Sequence, residues 1–297
     1  MKRLLITGGT GFIGQPCARV ARSHFDTVDA VGRALGNILD PATAVQLMET
    51  LRPTHWLHLA WIATPGVYWH SPENHRWVEA SQRLLMAFAR CGGQRAVLAG
   101  SCAEYDWRSA TICHESQTPT RPQTTYGRCK WQLGQWALAL GQARGLSVAW
   151  ARLFWLYGPR EHPARLVPSV TCALLAGQPA ACSHGTQERD FLHVHDAAEA
   201  LVRLVGSELT GAINIGSGQA VAIRTVIDKL AQAVGRPELV RFGQRETATT
   251  EPPLLVADVT RLRDELGWQP RIHLVSGLQE TVAWWKHQLN RGGRKCA

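Results

Sequence analysis

The sequence predicts an α/β protein, built as a doubly wound parallel sheet with a smaller C-terminal α/β lobe. Three observations carry this. Short apolar segments alternate with longer helical patterns through the first half of the chain, as expected of a parallel sheet covered by helices on both faces. A glycine-rich turn, TGGTGFIG, joins the first strand to the first helix. After Phe154 the alternation gives way to irregular, partly Pro-interrupted elements.

Taken in order, strands are expected at 3–7 (RLLIT), 27–31 (TVDAV), 55–60 (HWLHLA), 96–100 (AVLAG) and 146–153 (LSVAWARL). Helices fall between them, near 12–23, 41–51, 72–91 and 122–144. A helix near 165–176 follows, then ERDFLHVHDAAEALVRLV, a strand running into a helix, and the strand GAINIGSG. Pro-containing segments at 236–237 and 251–253 separate short elements, and a last helix covers about 274–289. With no internal repeat and no low-complexity linker, the second half reads as a lobe built from insertions. The expected division is a nucleotide-binding domain at 1–154 plus about 186–217, and a substrate-binding lobe at about 155–185 plus 218–297.

At 297 residues with 45% hydrophobic and 19% charged content, the chain buries a full core. No apolar run approaches the roughly 20 residues of a membrane span, and the run after Lys2 and Arg3 stops at Thr7, too short for a secretory leader. The eight cysteines lack CxxC or zinc-finger spacing, which points to reduced thiols and a cytoplasmic protein. The formal charge of +9 is spread along the chain, its one dense run being the tail RGGRKCA. Without basic stretches interleaved with stacking aromatics, nucleic acid is not an expected partner; a small anionic ligand is. Histidines 55, 58, 70, 75 and 114 show no metal-ligand spacing with carboxylates, so no metal is expected.

Gly8, Gly11 and Gly14 stand at G-x-x-G-x-x-G spacing directly after the first strand. There a tight turn and bare backbone let a pyrophosphate rest on a helix N-terminus, the Rossmann-type arrangement for a dinucleotide. The second strand ends in Gly32 and Arg33 where an NAD-selective site would carry a carboxylate. Arg33 suits the 2′-phosphate of NADP, which is the favoured cofactor. Asp29, earlier in the strand, is the rival signal, so NAD stays open. Phe12 and Ile13 in the loop and Leu59 and Ala60 after the third strand complete the expected cofactor contacts.

YGRCK places Tyr126 and Lys130 at i and i+4 on one helix face. A phenol with pKa near 10 exchanges protons poorly at pH 7; bringing it down to about 7 takes roughly 4 kcal/mol, which a nearby cation supplies in part. Ser101 lies at the carboxyl end of the fourth strand, where ligand crevices form, and its hydroxyl can hold a substrate oxygen.

With the Thr-Gly loop, the Ser before xxxY and Y-x-x-x-K, the chain resembles the extended short-chain dehydrogenase/reductase superfamily, and within it the NAD-dependent epimerase/dehydratase family acting on nucleotide sugars. LYGPREHPARLVPSV, RDFLHVHDAAEAL and AINIGSG extend the likeness through most of the chain. The resemblance implies a Ser101-Tyr126-Lys130 catalytic set, Lys130 also on the nicotinamide ribose, Asp40 on the adenine and Arg189 on the substrate diphosphate. The family's dehydratases carry Asp-Glu after the serine; Cys102 and Ala103 stand there, which excludes 4,6-dehydration. Glu104 falls where the family has Val and is read as structural.

Trp77 and Trp155 replace asparagines of many relatives. Trp155 takes the place of an amide that helps to hold the substrate phosphate, and either packs or stacks on a sugar or base. His162 follows YGP where 3,5-epimerase/4-reductase members carry a catalytic His, although the accompanying cysteine is out of register with Cys102. Trp155, His162 and Arg189 form the expected substrate contacts.

The leading expectation is NADP-dependent reduction of a 4-keto nucleotide sugar to the alcohol, with the proton from Tyr126. The alternatives are a 4-epimerase with bound NAD, a 3,5-epimerase/4-reductase, and a non-catalytic cofactor-binding sensor. The helix at 122–144 carries Trp131, Leu133, Trp136, Leu138 and Leu140 on more than one face, which points to burial against a symmetry mate in a homodimer.

Overall fold

The computed structural model describes residues 1–108, 112–246 and 252–291. The basic tail beyond Arg291, with Cys296, lies outside them. In chain order the elements are β1 (Arg3–Thr7), α1 (Gly14–Ala21), β2 (Thr27–Val31), α2 (Pro41–Leu51), β3 (His55–His58), α3 (Glu73–Arg90) and β4 (Arg95–Ser101). Then come β5 (Ile112–Cys113), α4 (Thr125–Arg144), β6 (Ser147–Leu153), β7 (Trp155–Tyr157), α5 (Leu166–Leu175), β8 (Ala180–Ala181) and β9 (Glu188–His193). The chain continues through α6 (Val194–Val205), β10 (Gly211–Ile215), β11 (Ala220–Ala222), α7 (Ile223–Val234), β12 (Val240–Arg241), β13 (Leu254–Ala257) and α8 (Leu274–Asn290).

Six strands form one parallel sheet in the order β10-β6-β4-β3-β1-β2. Alternate residues of each strand face opposite layers. Leu4 and Ile6 pack with Leu57, Val97 and Ile213 against α1 and α6, while Leu5 packs with Trp56, Leu98 and Trp150 against α2, α3 and α4. The doubly wound Rossmann-type sheet is therefore present as expected. Winding reverses between β1 and β3, so the carboxyl ends of those strands open the crevice where such folds bind ligands.

The rest of the chain builds a second, mixed sheet in the order β11-β9-β13-β5, with β7 on the other side of β9. A core of Val167, Val170, Leu174, Val226, Ile227, Leu230 and Leu278 joins α5, α7 and α8 beside it. Asp190, fully buried in β9, holds the turn between β10 and β11 and the end of β13 by accepting from Ser217 N (2.6 Å), Gly218 N (2.9 Å) and Ala257 N (3.1 Å). Six cysteines, at 17, 91, 102, 113, 129 and 182, are free thiols.

Among the described residues, no helix is long and apolar enough to cross a membrane. On α4, Leu133 and Ala137 are buried within the chain, Trp136, Leu138 and Leu140 half-buried, and Trp131 exposed.

Candidate active site

The loop after β1 is shaped by close packing. Gly8 adopts φ +79°, and a Cβ there would stand 2.7 Å from Ala60 N, at the end of β3. A Cβ on Gly14 would meet Gly8 O at 2.1 Å, whereas one on Gly11 would meet only Gly8 O, at 3.2 Å. The loop is thus pressed against the switch point. Gln15 N donates to Gly11 O (3.1 Å), Cys17 N to Ile13 O (3.2 Å), and Pro16 has no N–H. Among the described residues, the N–H groups left without a backbone acceptor at this helix start are therefore those of Phe12, Ile13 and Gly14. Phe12 and Ile13 lead into that turn, and Leu59 and Ala60 flank it from β3. This bare cradle at a helix N-terminus fits a dinucleotide pyrophosphate.

At the end of β2, a Cβ on Gly32 would meet Thr10 Oγ1 at 2.1 Å, so the glycine-loop threonine occupies the space of a side chain there. Arg33 follows, exposed, in a short 3-10 turn. Asp40 caps α2: one carboxylate oxygen accepts from Thr43 N and Oγ1, each at 2.8 Å, and these hydrogen bonds lower its pKa.

Ser101 closes β4 and opens a one-turn 3-10 helix. Its hydroxyl accepts from Ala103 N (3.2 Å), while its N–H donates to Glu104 Oε1 (2.7 Å), a reciprocal cap that fixes the serine. Tyr126 lies in the first turn of α4, beside Ser101; burial, then neighbouring Tyr68, raises its pKa above that of a free phenol, and the nearby serine hydroxyl opposes this. One helical turn on, Lys130 Nζ donates to Ala99 O at 2.7 Å and sits 3.8 Å from the centre of the Trp61 ring and 5.9 Å from that of Tyr126. Burial pushes its pKa down to about 7, against the opposing pull of Glu104. The three residues that the sequence singled out are therefore assembled at the carboxyl end of β4.

The remaining members of that turn have no acid or base to spare. Burial raises the Cys102 thiol well above its ordinary range. Glu104 is fully buried, accepting from Ser101 N, Trp150 Nε1 (2.9 Å) and Arg152 Nε (2.9 Å). Beneath the site, His58 Nδ1 lies 2.6 Å from Thr7 Oγ1 and Nε2 lies 2.8 Å from Ser81 Oγ, whose proton goes to Trp77 O. The serine oxygen is left to accept from Nε2–H, so the tautomer is fixed. Burial, then the Lys130 charge, depresses this imidazole to about 3, keeping it neutral.

The other expected substrate contacts lie in or beside the second sheet. Arg189 is buried, with Nη1 donating to Pro252 O (2.8 Å) and Glu188 O (2.9 Å) and its guanidinium 5.2 Å from the ring of half-buried Trp155. His162 is exposed, its Nδ1 accepting from Ala164 N at 3.2 Å; among the described residues it has no hydrogen bond to Ser101, Tyr126 or Lys130. Trp77 is buried against Trp61 (6.2 Å).

Sequence reasoning missed the aromatic segment between β3 and α3. Trp69 O accepts the Tyr126 N–H (3.1 Å), and the rings of Tyr68 and Trp69 stand edge-to-face against Tyr126 at 4.9 and 5.7 Å. The signal was a run rich in aromatics, TPGVYWH, directly after a strand of the nucleotide-binding sheet. One group with metal-ligand potential also escaped notice: His193, His195 and Glu280. His193 Nδ1 accepts from His195 N (3.4 Å), and His195 Nε2 faces Arg19 Nη2 (3.2 Å). Metal-bound imidazoles instead donate from their second nitrogen, so both rings are turned the wrong way for a cation.

A glycine cradle at the switch point and a Ser-Tyr-Lys set at the next strand end define a nucleotide-dependent oxidoreductase or epimerase. The chain belongs to the NAD dependent epimerase/dehydratase family, whose model matches residues 4–216. It is 26% identical over 331 residues to the UDP-glucose 4-epimerase of Rhizobium meliloti (strain 1021), covering 98% of each chain. It is 29% identical to MoeE5, solved in complex with UDP-glucose and NAD, with a TM-score of 0.81 over 97% of this chain and 99% of that one. The same fold recurs, at 22% identity and a TM-score of 0.84, in RMD from Pseudomonas aeruginosa complexed with NADPH, covering 97% of this chain and 100% of that one.

Proposed function

We propose that the protein is a nucleotide-sugar 4-epimerase working with a bound nicotinamide dinucleotide. The observation that carries this is the placing of Tyr126 beside the Ser101 turn with Lys130 one helical turn on, its Nζ held on Ala99 O of the same strand end, beside the glycine cradle. The nicotinamide, when bound, supplies a reversible hydride acceptor. Tyr126 takes the proton of the sugar 4-hydroxyl as that carbon is oxidised and returns it when hydrogen re-enters from the opposite face. Ser101, fixed by the Glu104 cap, holds the oxygen in both half-reactions. Lys130 lends positive charge to the developing phenolate, and its Nζ donors not spent on Ala99 O reach the nicotinamide ribose. The cradle residues Gly8, Gly11, Phe12, Ile13 and Gly14, with Leu59 and Ala60, hold the pyrophosphate end, and Asp40 faces the adenine.

The lobe of about 155–185 and 218–297 takes the nucleotide sugar, with Arg189 and Trp155 at the diphosphate. Cys102 and Ala103 leave the enzyme without the acid and base of a dehydration. Likeness to relatives named as UDP-glucose 4-epimerases favours this reading over the 4-keto reduction that the sequence put first. A specific observation keeps the reductase as the second reading: Gly32, packed on Thr10, and exposed Arg33 suit NADP, which a reductase consumes. The exposed Trp131 of α4 and Met86 of α3 fit a helix-paired homodimer in the cytoplasm.

The deciding experiment incubates the purified protein with UDP-glucose or UDP-galactose and follows both epimer formation and nicotinamide absorbance. Interconversion without net change in absorbance supports the epimerase. Stoichiometric loss of NADPH with a 4-keto sugar nucleotide, and no interconversion, establishes the reductase instead.

A further inference from the structure

A row of three indoles starts at Tyr126. Trp69 is edge-to-face with Tyr126 at 5.7 Å and with Trp107 at 5.9 Å. Trp107 and Trp155 both pack on the cluster of Cys102, Tyr105 and Phe154, and the Arg189 guanidinium lies over Trp155. All three indoles are only half-buried, although the Ser101 turn beside them is closed to solvent. The row thus runs from the proton-transfer group toward the cationic residue of the second sheet, with accessible aromatic carbon along it.

The hydrogen bonding of this row limits what it recognises. The Trp107 N–H donates to Cys102 O at 3.1 Å, so the ring offers a ligand its π face and carbon edge only. The Tyr68 ring, stacked at 4.5 Å on Trp69, is buried, and its hydroxyl accepts from Arg165 Nη1 at 3.3 Å. That contact and the Trp69 O bond to Tyr126 N pin the segment against α4 and α5. A rigid aromatic surface with few free donors binds a pyranose by its C–H face, not by its hydroxyls.

We propose that Trp69 and Trp107 are specificity-determining residues that stack on the glycosyl ring of the nucleotide sugar and hold it edge-on to Tyr126. This rests on the nucleotide-sugar reading above and deepens it. The two residues neither donate nor accept protons in the reaction; they set which sugars dwell at the Ser-Tyr-Lys set. The nucleotide end of the ligand does not touch them.

The test titrates the NAD-loaded protein with UDP and with UDP-glucose, reading indole fluorescence and calorimetry in the wild type, Trp69→Leu, Trp107→Leu and Trp107→Phe. The ratio of the UDP to the UDP-glucose dissociation constant should fall about tenfold or more in each Leu variant, with UDP affinity unchanged. Trp107→Phe, which keeps an aromatic face, should recover most of that loss. Should Trp107→Leu not fold, Trp69→Leu and the threefold or smaller fall expected of Trp107→Phe carry the test. Ratios that stay at the wild-type value, or UDP and UDP-glucose weakened equally, overturn the proposal. If the wild type shows the sugar-dependent ratio but yields no epimer and consumes no NADPH, the stacking role stands and the epimerase reading fails.

Discussion

Glu104 and Arg152 form a fully buried ion pair, Nε to Oε2 at 2.9 Å, directly beneath Ser101. The guanidinium also donates to Tyr105 Oη (3.1 Å), which donates in turn to Asn214 Oδ1 (2.7 Å) on β10. Burial disfavours the Arg152 charge, but Glu104 and Tyr105 more than offset it and raise its pKa. The turn that carries Ser101 is therefore anchored to β6 by one carboxylate and, through Arg152 and Tyr105, to β10.

Removing that charge leaves a cation without its partner in the core. Glu104→Gln keeps the shape of the side chain, yet should cost about 3–5 kcal/mol of stability, the usual consequence of orphaning one buried ion. Urea unfolding measures it. The double variant Glu104→Gln/Arg152→Met should lose less than the single one, because the stranded charge is gone. A loss below about 1 kcal/mol in the single variant would mean that Arg152 finds another acceptor.

Tyr126→Phe tests the proton-transfer role. It deletes one hydroxyl beside Ser101 and leaves the ring packed against Tyr68 and Trp69. Turnover should fall by about 100- to 10,000-fold, the range for a positioned acid–base group. Dinucleotide affinity should hold within about threefold, since the cradle is untouched. Unchanged turnover would remove Tyr126 from the reaction.

Much of this site was legible in the sequence because parallel strands buried on both faces read as continuous apolar runs. β1 and β2 fall where the runs do, and the glycine loop and Y-x-x-x-K are local patterns. What escaped depends on distant partners. β5, β8 and β12 are two residues each and exist through pairing with segments far along the chain. The aromatic row brings together residues 69, 107 and 126, which no local period links. α7 is different: its buried Val226, Ile227, Leu230 and Ala231 are spaced as one helix face, and the pattern was there to be read. The sequence marks Glu104 as structural, but its central place in the Ser101 turn depends on partners on β6.

Arg33 should decide between the two dinucleotides. It is exposed, and Gly32 beside it is packed on the Thr10 side chain, so no carboxylate competes for the ribose at that position. Arg33→Ser should raise the NADPH dissociation constant about tenfold and leave that of NADH within about twofold, as expected for loss of one charge-assisted contact. Equal affinities before and after would show that the guanidinium does not reach the 2′-phosphate.

Glu161 offers a prediction in pH. The chain turns at Arg160, in the left-handed region at φ 72°, and carries Glu161 inward, where Oε2 has no partner among the described residues. Burial pushes this carboxyl up to about 8, with Arg165 opposing. In the unfolded chain it titrates near 4.5. Between those values the folded protein holds a proton that the unfolded chain releases, so this group's contribution is fully present below about pH 4.5 and is lost as pH rises through about 8. Glu161→Gln, which stays neutral, removes the penalty. The variant should match the wild type near pH 4.5. At about pH 8.5 it should be the more stable by a few kcal/mol, since a tenfold difference in proton affinity between folded and unfolded chains is worth about 1.4 kcal/mol. The difference between the two unfolding curves isolates this residue from the paired carboxylates, whose slopes run the other way. A difference that stays flat across that range would place the Glu161 carboxylate in contact with a compensating charge.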